Sequence, residues 1–259
     1  MGILNVTPDS FSDGGEFTDI NVALDHALKM IDDGAHIIDI GGESTRPGSV
    51  PISVSEECER ILPVIESIKN FNSKIAISVD TYKASVAKKA IEVGADIVND
   101  ISGLTFDPDM IPLLSGKDIP VIIMHINGRP KTMQKNPIYN DLVDDIRNFL
   151  KCQSNLAEES GIKNNHIILD PGIGFGKTFD HNFTLLKRLD EICSLGYPVM
   201  IGPSRKAFIG DVLNLPPDER KEGTLATVVA GIMNGAKIVR VHDVKEVSRA
   251  VKITEKIIA

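Results

Sequence analysis

The sequence predicts a single (β/α)8 TIM barrel over residues 1–259, with long loops after strands 1 and 2. Three observations carry this reading. Eight short, nearly continuous apolar runs recur along 259 residues. A longer amphipathic stretch follows the runs, and every run ends on polar or ionisable groups. Length, alternation and polar strand ends together are the signature of this barrel. Continuous apolarity suits strands covered on both faces, as in parallel sheets. A doubly wound open sheet usually has fewer strands and gives no reason for polar residues at all eight ends.

Strands are expected, in order, at 2–6, 36–40, 75–79, 96–99, 120–124, 166–169, 198–201 and 237–241. Leu24, Ala27, Leu28 and Ile31 repeat at helical spacing after the first. Cys58, Ile61, Leu62 and Ile65 do so after the second, behind a capping box of Ser53 and Glu56. Val244, Val247 and Val251 give the last helix its apolar stripe. Gly34, Gly94, Gly161, Gly196 and Gly235 each stand between a helix and the next strand, where a left-handed C-cap is expected. Residues 6–19 and 41–53 are the long loops; both are rich in Gly, Ser, Thr, Pro and Asp and read as lids over the site.

Composition removes several classes of function. With 42% hydrophobic and 25% charged residues the chain is neither collagen-like nor disordered. A net charge of −8 repels phosphate backbones, so no nucleic-acid partner is expected, and an anionic substrate needs a local cluster of cations. No apolar run approaches the roughly 18 residues that span a bilayer, so no membrane partner is expected. The N-terminus has no basic region of a signal peptide. Cys58, Cys152 and Cys193 are odd in number, widely spaced and form no C-x-x-C, which predicts a reducing, cytoplasmic setting without structural zinc.

In such a barrel the residues just past each strand form the catalytic face. They are Asn5; Glu43 to Gly48; Asp80 and Thr81; Asn99 and Asp100; Met124 and His125; Asp170 to Gly172; Ser204, Arg205 and Lys206; and Arg240 to His242. A helix cap explains one Asp at a strand end. Caps do not require Arg, Lys and His side chains. Two tempting motifs fail. Residues 171–178 resemble a P-loop but carry Pro171 where the pattern needs Gly. Residues 202–206 resemble a nucleophile elbow but carry Lys206 in place of its second Gly. Of six histidines, only His125 and His242 end strands and are candidates for function.

Residues 1–15, Met-Gly-Ile-Leu-Asn-Val-Thr-Pro-Asp-Ser-Phe-Ser-Asp-Gly-Gly, resemble the opening signature of the dihydropteroate synthases, and Gly42-Glu43-Ser44-Thr45-Arg46-Pro47-Gly48 resembles the second. Residues 80–81, 99–103, 170–177, 204–206 and 240–244 follow in the family's order, so the resemblance spans essentially the whole chain. It implies condensation of 6-hydroxymethyl-7,8-dihydropterin diphosphate with 4-aminobenzoate, giving 7,8-dihydropteroate and diphosphate in folate synthesis. Sulfonamide drugs mimic the aminobenzoate. It also implies Mg²⁺ as cofactor and a homodimer as the assembly. Family members usually carry a segment before the first strand, often a hairpin closing the barrel bottom, which this sequence lacks.

By the same resemblance Asp80, Asn99, Ile101, Met124, Asp170, Lys206 and Arg240 hold the pterin. Asn5, Thr45, Arg46, Arg240 and His242 hold the diphosphate, with Asn5 the Mg²⁺ ligand. Phe11, Thr45, Pro47, Phe175 and Ser204 line the aminobenzoate pocket, and Asp80, Lys206, Arg240 and His242 carry the catalysis. A carboxylate suits the pterin's adjacent N–H donors, and the planar fork of Arg suits phosphate. The expected chemistry is a dissociative substitution at the pterin methylene. A methyltetrahydrofolate:corrinoid methyltransferase shares the Asp and Asn contacts but has no need for the Arg-bearing signatures. A non-catalytic pterin-binding protein is the alternative of another class.

Overall fold

The computed structural model describes residues 1–7 and 16–259, with side chains in the first helix described from residue 20 onward. Strands β1 (Gly2–Asn5), β2 (Ile37–Gly41), β3 (Ala76–Asp80), β4 (Ile97–Asp100), β5 (Val121–Met124) and β6 (Ile167–Asp170) pair in chain order, all parallel. Strands β7 (Met200–Ile201) and β8 (Ile238–Val239) pair in parallel with each other. Single parallel bridges at Leu169–Val199 and Gly2–Val241 join the two sheets at both seams and close eight strands into a barrel. Ile3 N donates to Val241 O at 3.0 Å across the second seam.

The helices are α1 (Glu16–Asp32), α2 (Val54–Phe71), α3 (Ala84–Glu92), α4 (Met110–Leu114), α5 (Leu142–Glu159), α6 (Phe179–Lys187), α7 (Leu189–Cys193), α8 (Ala207–Leu213), α9 (Lys221–Met233) and α10 (Val244–Ile258). The connections after β6 and β7 each hold two helices, so the described residues contain more helices than the ideal eight. None of the helices described is long and apolar enough to cross a membrane.

Three local expectations change. The buried stripe of α1 is Ala23, Ala27 and Met30, with Leu24 and Ile31 only partly buried, so the helix sits one position round from the spacing read in the sequence. At α2 the Ser53 hydroxyl caps the Glu56 amide at 3.2 Å, but the Glu56 carboxylate turns to Arg60 one turn on, and only half of the box forms. The runs at 198–201 and 237–241 shorten to two-residue strands. Pro198 has no N–H to extend β7 backwards, and Gly202-Pro203 ends it.

Strand periodicity sets the barrel's interior. Residues paired across a parallel ladder face the same side, and side chains alternate along each strand. Asn5 pairs with Gly41, Gly41 with Asp80, and Asp80 with Asn99, which places these strand ends at one level on the inner face. Below them lies an apolar plug of Ile37, Ile97, Ile122, Ile168, Met200 and Ile238. Two residues beyond six plug positions, on the same face, stand Asp39, Asn99, Met124, Asp170, Gly202 and Arg240. The apolar runs therefore build the floor, and their polar ends face into the mouth.

Candidate active site

At the centre of the mouth an arginine bridges two carboxylates. Arg240 Nε donates to Asp39 Oδ2 at 2.6 Å and Nη2 to Asp80 Oδ2 at 2.7 Å. Asn99 Nδ2 donates to the same Asp39 Oδ2 at 3.2 Å. Asp39 is fully buried. Burial disfavours the Arg240 cation, and Asp39 and Asp80 more than offset it, so the guanidinium stays protonated. Its Nη1 is the corner without a partner among the described residues. Burial pushes the Asp80 carboxyl up to about 7; Arg240 pulls it down and Asp39 adds to the push.

This network aligns two acceptors. Asp39 holds the Asn99 amide nitrogen, and Arg240 holds one oxygen of Asp80. Asn99 Oδ1 and Asp80 Oδ1 are left buried with no hydrogen-bond partner among the described residues. Buried acceptors are rarely left so, because each unmet one costs about 1–3 kcal/mol. Both belong to strand ends that line the mouth, so a ligand bearing N–H donors would satisfy them.

Asp170 is buried, and its Oδ1 accepts the Gly172 amide at 2.7 Å. Burial raises its carboxyl and that amide opposes the rise. Gly172 is required here: its φ is +69°, and a Cβ would lie 1.9 Å from His125 O. Gly172→Ala must move either the Asp170 anchor or the β5 end. It is expected to weaken, at least about tenfold, the binding of any ligand that Asp170 holds, and to lower the melting midpoint by roughly 2–4 °C per kcal/mol lost. Calorimetry reads both, and wild-type values would show that the turn adapts.

Lys206 reaches back to the loop after the neighbouring β6, donates to Ile173 O, and lies 4.5 Å from the Phe175 ring centroid. Burial lowers its ammonium to about 7, with Asp170 opposing. Ile101 and Met124 pack with Ile126, Met133, Tyr82, Phe106 and Phe175 into a small apolar cluster separate from the main core. That cluster offers the flat apolar wall a heterocycle needs beside the polar groups.

His242 is partly buried next to Ser204: Nδ1 lies 3.0 Å from Ser204 Oγ, and the His242 backbone N–H donates to the same oxygen at 3.1 Å. Burial lowers the imidazole to about 4, and Arg240, Arg205 and Arg46 add to the shift. Arg205 itself turns away and forms a bidentate pair with Asp243 at 3.0 and 2.6 Å.

In the loop after β2, Thr45 is half-buried while Arg46 and Pro47 are exposed. The base of this loop is clamped. Glu43 Oε2 accepts Ile52 N at 3.0 Å, and Lys83 Nζ donates to Ile52 O at 2.8 Å and to Glu43 at 2.7 Å. Lys83 also pairs with the buried Glu57, and Tyr82 OH donates to Glu43 Oε1 at 2.9 Å. Phe11 lies outside the described residues.

The structure thus gathers Asp80, Asn99, Asp170, Lys206 and Arg240 in or against one mouth, with Ile101, Met124 and Phe175 in one apolar wall. His125 behaves otherwise. It is buried, with Nδ1 2.9 Å from Lys177 Nζ, and Lys177 also donates to Phe175 O at 3.0 Å. The pair supports the 171–178 loop from beneath. Asp39 escaped the sequence reading because it stands inside an apolar run; the available signal was one carboxylate at an inward position two residues before a strand end.

Comparison with known proteins identifies the relatives of this chain. A family model described as pterin binding enzyme matches residues 1–242. A dihydropteroate synthase of Clostridium beijerinckii is 52% identical over 259 residues, covering 100% of this chain and 93% of the relative. A solved dihydropteroate synthase of Clostridium difficile, obtained in the presence of pteroic acid, superposes with a TM-score of 0.94 at 47% identity, covering 99% of this chain and 95% of its own. One from Xanthomonas albilineans, with 4-aminobenzoic acid, gives 0.93 at 39% identity, covering 100% and 92%.

Proposed function

The chain belongs to the pterin-binding enzymes, among the dihydropteroate synthases, and from that premise we propose how its barrel mouth joins 6-hydroxymethyl-7,8-dihydropterin diphosphate to 4-aminobenzoate. The observation that carries the reading is the pair of buried, unpartnered acceptors, Asp80 Oδ1 and Asn99 Oδ1. With Asp170 they meet the N–H donors of the pterin, Lys206 donates to its carbonyl side, and Ile101 and Met124 pack against its faces. A ligand lacking those donors leaves buried oxygens unmet, which supports selectivity for this edge.

The chemistry follows from the charges. The methylene–oxygen bond breaks, and its electron pair leaves with the diphosphate. Asp80, one oxygen held by Arg240, places negative charge beside the pterin cation that forms. Arg240 Nη1, Arg46, Thr45 and His242 face the departing anion. The aminobenzoate nitrogen then donates its lone pair to the methylene and afterwards loses a proton to solvent. The amine is already neutral and nucleophilic, so no strong general base is needed. Thr45, Pro47 and Phe175, with Phe11, are the residues proposed around the aminobenzoate.

Asn5 fits a Mg²⁺ role in one respect: it is a half-buried amide at the tip of β1, level with Asp80 in the ladder. Among the described residues no group of three or more His, Cys, Asp or Glu could hold a metal alone. Asn5 would supply one oxygen and the substrate diphosphate others, as Mg²⁺ sites commonly do. When bound, the ion would neutralise charge on the leaving diphosphate.

The reading treats residues 1–259 as one domain, acting as a cytoplasmic homodimer. Ile253 and Ile257 on α10 and Met233 on α9 are exposed apolar side chains that a second copy would cover. Turnover tests the function: diphosphate release from pterin diphosphate and aminobenzoate should be saturable and should fall at least about tenfold on removal of Mg²⁺. Saturable binding without release would identify a pterin-binding protein that is not an enzyme.

A further inference from the structure

We infer that Ser204 is a positioning residue: it fixes the His242 imidazole in the Nε2–H tautomer, so that a neutral ring presents a proton donor to the departing diphosphate. The inference deepens the proposed function. Its catalytic consequence rests on that reading, whereas the tautomer does not.

The argument is an inventory of donors. A backbone N–H can only donate, so Ser204 Oγ is the acceptor in its 3.1 Å bond with His242 N. The hydroxyl proton still needs an acceptor. Among the described residues the one within reach is His242 Nδ1, 3.0 Å away. If the hydroxyl donates there, Nδ1 carries a lone pair and the neutral ring bears its proton on Nε2. The opposite tautomer would donate from Nδ1 to Oγ. That leaves the hydroxyl proton unmatched on a residue only 6% exposed, and turns an Nε2 lone pair towards an anion. A doubly protonated ring is disfavoured by burial and by Arg240, Arg205 and Arg46, against the single carboxylate of Asp243. One hydroxyl can therefore set both the tautomer and the ring's orientation, as outer partners of imidazoles do elsewhere.

The turn that carries Ser204 is held rigidly. Arg205 has φ +58°, an uncommon left-handed conformation for a side chain of this size. Three contacts keep it there: the Asp243 pair, Thr224 Oγ1 accepting Arg205 N at 3.0 Å, and Arg220 Nη1 donating to Arg205 O at 3.0 Å. Strain held by several partners at a site is a mark of pre-organisation. Here it aims a hydroxyl. Ser204 is thereby assigned to the ring of His242 rather than to the aminobenzoate.

Nitrogen-15 NMR of the full-length protein labelled at histidine, with His242 identified by its loss in His242→Gln, tests this near pH 7. The expected spectrum has a pyridine-like Nδ1 and a protonated Nε2. Ser204→Ala should give mixed tautomers and lower kcat about tenfold, the equivalent of about 1.4 kcal/mol, with KM for aminobenzoate unchanged. Ser204→Thr, which keeps the hydroxyl, should restore both. A wild-type ring protonated on Nδ1 overturns the inference. The expected spectrum combined with wild-type kcat in Ser204→Ala overturns instead the placing of His242 against the diphosphate. A rise in aminobenzoate KM with unchanged tautomer and kcat makes Ser204 a substrate contact and also overturns the inference.

Discussion

Asp80→Asn is expected to lower kcat by about 10²–10³-fold, the usual effect of removing one pre-organised electrostatic contact to a transition state. The substitution keeps shape and removes charge, so a loss in kcat larger than the loss in pterin affinity would locate the effect in the transition state. Wild-type activity carries a second sign of the same group. Burial holds the Asp80 carboxyl at about 7, and only its ionised form steadies a cation. The rate should therefore fall as pH drops through about 7, and that acid limb should vanish in Asp80→Asn. Stability runs the other way. The folded-state value is raised above the ordinary 3.8, so the native protein binds more protons than the unfolded chain between about 4 and 7. Asp80's contribution to stability declines as pH rises across that window. Ionised Asp80 thus costs the fold stability, as expected of a group with the role in the reaction proposed above.

Lys83→Met is expected to destabilise the fold by about 3–5 kcal/mol, the cost of breaking a buried pair by removing one partner. The ammonium bridges Glu43 and the nearly inaccessible Glu57, so its loss leaves two carboxylates facing each other without a cation. Burial already raises Glu57, against the pull of Lys83. Without Lys83 the raise becomes larger, so the deficit should shrink at low pH as Glu57 takes up a proton. Thermal melts at pH 5 and pH 8 measure this, and equal deficits at both would show that Glu57 is not the strained group. Ile52 loses the Lys83 hydrogen bond to its carbonyl in the same variant, so the loop carrying Thr45 and Arg46 loses part of its anchor.

The features legible in the sequence were those set by local periodicity. Asp80, Asn99 and Asp170 end strands whose inward face is fixed by alternation, so their convergence follows once the barrel is assumed. The features that were not legible depend on long-range register. Asp39 reads as an interruption in an apolar run until its pairing with Ser78 places it on the inner face. Lys83 meets Glu43 forty positions away in sequence and Glu57 twenty-six away, through a loop whose path no spacing rule supplies. His125 ended a strand as a catalytic residue would, yet its ring turned beneath the next loop towards Lys177. The lysine that made residues 171–178 resemble a phosphate loop is the one that pins that ring. Ser204 is a similar case, since its partner lies thirty-eight residues on and is reached only where β7 and β8 pair.

The most direct test of the account is positional isotope exchange in pterin diphosphate labelled with ¹⁸O at the oxygen joining the methylene to phosphorus. With enzyme and Mg²⁺ but no aminobenzoate, a dissociative break held between Asp80 and the cations should let the label migrate to non-bridging positions of that phosphate before the bond re-forms. Migration should be at least about tenfold slower in Asp80→Asn. A label that stays at the bridge, in enzyme that turns over normally once aminobenzoate is added, would contradict the cationic step on which the roles of Asp80, Arg240 and His242 depend.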